Sequence, residues 1–88
     1  MDDDPAAVPL EDAFDLHSFL PRDVSSAVGE YLDEAGKVFR EVRLIHGRGV
    51  GVQRETVRAL LSRRADVADF FDAPPERGGW GATVVVFR

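Results

Sequence analysis

Val42-Arg43-Leu44-Ile45-His46-Gly47-Arg48-Gly49-Val50-Gly51-Val52-Gln53-Arg54 (residues 42–54) is the stretch on which the fold turns. Val42, Leu44 and Ile45 read as a largely buried strand. The strand cannot continue past His46, because glycine at 47, 49 and 51 punctuates the chain. A helix is predicted over residues 52–64. Val57, Leu60 and Leu61 face the core, and Arg54 and Arg58 stand one turn apart on another side. Strand, glycine loop and helix make one βα step of an α/β protein.

Upstream, residues 14–16 form a short apolar run broken by Asp15, which reads as a first strand. Pro21 suits the first turn of a helix, and Asp23 suits its dipole. Val24, Val28, Tyr31, Leu32 and Ala35 recur at helical spacing and define one apolar face, which Gly36 ends. Downstream, residues 67–71 read as a third strand and residues 72–81 as a loop with two Pro and three Gly. Residues 83–87 are rich in β-branched side chains and read as the last strand. Phe70, Phe71 and Phe87 are expected in the core. The order β-α-β-α-β-β predicts an α/β two-layer sandwich, a mixed sheet covered by two helices.

The 88 residues suffice for one domain. Such a chain buries only about 60% of its unfolded surface, so its core must be efficient. Residues 1–12 hold five acids and two Pro without periodicity and read as an acidic flexible tail, leaving 13–88 as the domain. Asp2, Asp3 and Asp4 keep that tail solvated or dock a basic partner. They are the wrong charge for a secretory signal, and no apolar run approaches the roughly 20 residues of a membrane span. A cytoplasmic protein without membrane contact is expected. The absence of cysteine excludes disulfides and thiolate metal sites.

A net charge of −5 disfavours a polyanion partner at first sight, but the distribution is uneven. Residues 1–34 carry ten acids and one Arg, whereas residues 35–88 carry six acids and ten Lys or Arg. A phosphate-binding face is compatible with the second part, and a strong nonspecific grip on polyanions is not expected.

The glycine loop is the first candidate site. A helix N-terminus offers unpaired N–H groups and partial positive charge. Glycines at 47, 49 and 51 let a phosphate approach the backbone, and Arg48 and Arg54 offer forked contacts. Val52 stands where the dinucleotide fingerprint needs a third glycine, and no Gly-Lys-Ser/Thr follows, so this is neither that motif nor a P-loop. A tight turn needing positive φ explains the same glycines. His17 and His46, the only histidines, fall at strand ends, with Asp15 on the same face as His17. If the first two strands are parallel neighbours, both imidazoles reach one sheet edge. There they would serve as acid and base across a phosphodiester, or stand there simply solvated. Trp80 lies among Gly78, Gly79 and Gly81 and either stacks an unpaired base or closes the end of the core.

These segments resemble the Smr family, the small MutS-related domain. Its marks are a Leu-Asp-Leu-His-Gly start, a His-Gly-Lys-Gly-Thr-Gly loop followed by Arg, and a Gly-Gly-x-Gly turn before the last strand. Here stand Phe14-Asp15-Leu16-His17-Ser18, His46-Gly47-Arg48-Gly49-Val50-Gly51 with Arg54, and Gly78-Gly79-Trp80-Gly81. The likeness runs from about Phe14 to Phe87. It departs at Ser18 for Gly, Arg48 for Lys, which keeps the charge with a planar fork, and Val50 for Thr, which loses a hydroxyl.

The resemblance implies a two-layer sandwich that binds DNA or RNA, branched or single-stranded, as a structure-selective endonuclease or nickase. The alternative it leaves is a non-catalytic binding module in DNA repair, recombination or ribosome rescue. Asp15, His17 and His46 are the implied catalytic residues. The resemblance ties Gly47, Arg48 and Gly49 to the same site; with Gly51, Arg54 and Trp80, read from the residues themselves, they are the candidate phosphate and nucleic-acid contacts. No cofactor and no resident metal site are expected, with a divalent metal enlisted only if the substrate is DNA.

Overall fold

A computed structural model describes residues 10–48 and 52–88. The described elements run β1 (Ala13–Asp15), α1 (Val24–Ala35), β2 (Glu41–Ile45), α2 (Val52–Ser62), β3 (Val67–Asp72) and β4 (Ala82–Phe87). Short 3-10 turns stand at Pro21–Asp23, Pro75–Arg77 and Gly79–Gly81. The strands form one mixed sheet in the order β1-β2-β4-β3. β1 and β2 are parallel, and β4 runs antiparallel to both β2 and β3. Gly49 and Gly51, two of the expected phosphate contacts, lie outside the described residues. No helix among the described residues is long and apolar enough to cross a membrane.

The two helices pack against each other and against one face of the sheet. Val24, Val28, Tyr31, Leu32 and Ala35 of α1 are all buried, as their spacing predicts. They meet Val57 and Leu61 of α2 and Val42, Leu44 and Val85 of the sheet. Each fully buried Val or Leu contributes about 1.5–3 kcal/mol relative to exposure. Leu16 is fully buried just past β1, and Phe14 stacks on Tyr31 with ring centroids 4.5 Å apart. The Tyr31 hydroxyl donates to the Glu11 carbonyl, so α1 fastens the entry to β1.

The other face is the one that positions the site. Ala73, Ala82 and Val84 form a small second cluster there, with Ile45 and Val86 against it. Arg43 is paired with Val84 across β2 and β4, and its Nη1 donates to the Arg77 carbonyl (2.9 Å). That bond draws the segment after β3 toward this face. Phe71 departs from expectation, being 44% exposed. It pairs with Val84 on the outward face, whereas Phe70 packs toward the helices with the Arg58 guanidinium 5.5 Å from its ring. Consecutive strand residues point to opposite faces, so only one of the two can join the main core.

Leu44→Ala should lower the unfolding free energy by about 2–5 kcal/mol, the usual cost of a buried leucine cavity. Phe71→Ala should cost less than about 1 kcal/mol. Urea melts of the two variants test the orientation of the sheet, and equal losses would contradict it.

Candidate active site

Parallel pairing of Asp15 with Ile45 makes β1 and β2 end together, so residues 15–17 and 46–48 leave the sheet at one edge. Leu16 between Asp15 and His17 is held in the core, and its N–H donates to the Ile45 carbonyl (2.9 Å). Its neighbours therefore face solvent. Asp15 Oδ1 accepts from the His17 backbone N–H (2.9 Å) and from the His17 ring at Nδ1 (2.6 Å). The first bond is an Asx turn that bends the chain, and the second orients the ring. A carboxylate only accepts, so Nδ1 carries the hydrogen and Nε2 keeps its lone pair. The His17 amide foremost holds the Asp15 carboxyl below the usual range; desolvation opposes it, and the His17 ring adds to the lowering.

Nε2 faces Gly47. A β-carbon at 47 would stand 3.0 Å from it, and Gly47 has φ +84°, which L side chains rarely adopt. Glycine here both permits the turn and leaves the base nitrogen uncovered on that side.

The second and third motifs are docked on each other. The N–H groups of His46 and Gly47 both donate to the Gly81 carbonyl, at 3.0 and 2.8 Å. The Arg48 stem lies across Gly81, and its guanidinium lies across Gly79 and donates to the Gly78 carbonyl (3.2 Å). Trp80 remains 45% exposed in that turn, so it does not close the core.

His46 is arranged differently from the expected open acid. It is only 6% exposed. Its Nδ1 meets the Gly47 carbonyl (3.2 Å) and its Nε2 the Thr83 hydroxyl (2.8 Å). Carbonyl oxygen only accepts, so Nδ1–H donates to Gly47 and Nε2 accepts from the Thr83 hydroxyl. Burial lowers the His46 pKa; the Gly47 carbonyl opposes this, and Arg54 and Arg58 add to it. The reason is strand alternation: Leu44 points in, Ile45 out and His46 in again. The two imidazoles thus share an edge but not an open space. His17 is at the surface and His46 is buried against Gly47 and Thr83.

Arg54 is also committed. Its Nε and Nη2 fork onto the Asp72 carboxylate (2.8–3.2 Å), which Arg58 joins at 2.9 Å. Arg54 foremost, with Arg58, holds the Asp72 carboxyl below the usual range. A phosphate at Arg54 would have to compete with that carboxylate. The sequence reading passed over both Asp72 and Thr83. Thr83 had a signal, being the one polar residue in the apolar run Ala82-Thr83-Val84-Val85-Val86. Among the described residues no three His, Cys, Asp or Glu side chains gather as a metal would need.

An α/β sandwich with an Asp-x-His edge clamped by two glycine motifs defines a recognisable class of domain. The sequence model of the Smr domain matches residues 14–88, and the chain belongs to the Smr family. It is 39% identical over 75 residues to endonuclease MutS2 of Thermus thermophilus, covering 84% of this chain and 10% of that protein. It is 37% identical over 81 residues to endonuclease MutS2 of Aquifex aeolicus, covering 88% of this chain and 11% of that protein. The chain thus spans about a tenth of the length of the curated relatives it matches. Among solved structures, the Smr domain of Thermus thermophilus MutS2 superposes with a TM-score of 0.83 at 37% identity, covering 89% of this chain and 99% of that one. YdaL, a stand-alone small MutS-related protein from Escherichia coli, gives a TM-score of 0.83 at 26% identity, over 94% of this chain and 69% of that one.

The buried ring makes stability depend on pH. In the unfolded chain an imidazole protonates near pH 6.5, whereas folded His46 does so only at lower pH. Its contribution is whole above about pH 6.5 and declines below it, until the folded ring also protonates. Imidazole nitrogen shifts should show His46 titrating below the ordinary value; titration at or above that value would refute the buried neutral ring. Thr83→Val should cost about 1–3 kcal/mol by leaving Nε2 unpartnered.

Proposed function

We propose that the domain holds a nucleic-acid phosphodiester at the edge formed by His17, Gly47 and Arg48, and cleaves it. The reading is carried by one observation: Asp15 fixes the exposed His17 ring through Nδ1, leaving Nε2 as a base beside Gly47. The names of the relatives, endonuclease MutS2, agree with it. His17 Nε2 takes the proton of the attacking hydroxyl, and Asp15 stabilises the imidazolium that results. Arg48 offsets charge building on the phosphate oxygens. With RNA the nucleophile is the 2′-hydroxyl. With DNA it is water, and a divalent metal supplied with the substrate would assist. Trp80 stacks a base of a branched or single-stranded substrate.

His46 takes a positioning role in this scheme. Its Nδ1–H bond to Gly47 and its tie to Thr83 hold the loop against His17. The leaving oxygen is then protonated by water. The burial of His46 also favours a second reading, a module that binds without cutting, because it leaves one exposed imidazole where acid–base catalysis commonly uses two groups.

The two separate in one experiment on nicked, branched and single-stranded DNA and on RNA, with and without chelator. His17→Ala should lower the cleavage rate by about 100-fold or more while binding stays within about 3-fold. Asp15→Asn should lower the rate less. Binding without cleavage under every condition decides for the module, and failure to bind any of these substrates would overturn both readings.

A further inference from the structure

The opposite end of β2 carries a second feature. A cleft of about 310 Å³ is lined by residues 36–40 with Phe87 and Arg88. Arg40 precedes β2 and His46 follows it, so six steps of extended chain, about 20 Å, separate the cleft from the His17 edge. Lys37, Arg40 and Arg88 contribute three cations to the lining, and among the described residues no acidic side chain lines it. Two of the carboxylates nearby are directed elsewhere. Asp66 is taken by Arg64 at 2.9 Å, and Glu41 faces Arg77 at 3.9 Å. Glu34 reaches Lys37 only at 3.4 Å in an exposed pair, a contact of small worth. The Arg88 guanidinium is oriented by its Nε bond to the Ala65 carbonyl. Between these charges lie Phe39 and Phe87, partly buried against the core, and Val38, which is 67% exposed.

Cations around an aromatic floor match a ligand with an anionic end and a flat apolar end. We infer that this cleft binds a nucleotide, its phosphate on Lys37, Arg40 and Arg88 and its base against Phe39 and Phe87. It serves as a second contact for the same nucleic acid held at the His17 edge. Its place in a longer substrate rests on the proposed function, but its capacity for a nucleotide does not. Phosphate contacts at two poles about 20 Å apart would let the domain select strands that run over the sheet edge rather than a single phosphate group.

The test is a titration of the full chain with adenosine monophosphate and separately with inorganic phosphate, followed by amide shifts. The monophosphate should move residues 36–40 and Arg88 at concentrations where phosphate alone moves them less. Arg40→Gln, at an exposed position, should abolish those shifts and leave the shifts of residues 46–48 unchanged. With a single-stranded oligonucleotide, Arg40→Gln should weaken binding by about 3-fold or more and reduce the slope of log K against log salt by about one. Response to free nucleotide but not to Arg40→Gln in the oligonucleotide assay assigns the cleft to small nucleotides and overturns the second-contact role. Shifts confined to residues 46–48, or none at 36–40, overturn the site itself. A protein that binds nucleotide in the cleft yet cuts nothing would remove the cleavage proposal and leave this one standing.

Discussion

The Gly81 carbonyl, accepting from the N–H groups of both His46 and Gly47, is the constraint from which the rest of the site follows. It is the only main-chain group among the described residues that joins the loop after β2 to the turn before β4 in this double fashion. With it in place, Gly47 is carried to the His17 ring and Arg48 to the glycine turn. Three segments far apart in sequence thereby become one surface, and the two glycine motifs need each other's missing side chains. A side chain at Gly81 would strike the Arg48 stem at 2.9 Å and the Gly47 carbonyl carbon at 3.3 Å.

Around that clamp the two histidines divide the labour. His17 is exposed, held by a carboxylate that is itself exposed, and available at Nε2. His46 is buried, neutral by desolvation and saturated by Gly47 and Thr83. A charged imidazole would be costly in the second environment. The same residue type is thus left accessible at one position and built into the scaffold at the other, and what separates them is the side of the pleat on which each emerges.

Much of the architecture was legible because periodicity reports which side is apolar. The α1 stripe from Val24 to Ala35, the strand at Val42 and Leu44 and the β-branched strand after Gly81 could each be read directly. Parallel pairing of the first two strands was only a condition in the sequence, and the structure supplies it, bringing residues 17 and 46 to a shared edge. What was not legible depended on depth and partner. Phe70 and Phe71 are alike in sequence, and only the cross-strand register of β3 decides which faces out. His46 read as a strand end, but alternation continues one residue beyond the ladder and turns it inward. Arg54 had the right charge for a phosphate, yet Asp72, distant in sequence, stands opposite it. Single-chain patterns carry no record of such pairings.

Arg48 draws these threads together. Its charge is what a phosphate would meet, but its orientation is fixed by packing: the stem rests on Gly81, and the guanidinium covers Gly79 while donating to Gly78. Lysine, the commoner residue at this place in the family motif, would keep the charge without a planar group able to lie flat on one glycine and donate to the next. With Arg54 drawn toward Asp72, the positive charge of the described loop rests on Arg48. Exchanging it for lysine would therefore change the rigidity of the edge and the aim of its cation together. The substitution is conservative in charge but not in geometry, since the glycine turn is shaped to the arginine that lies on it.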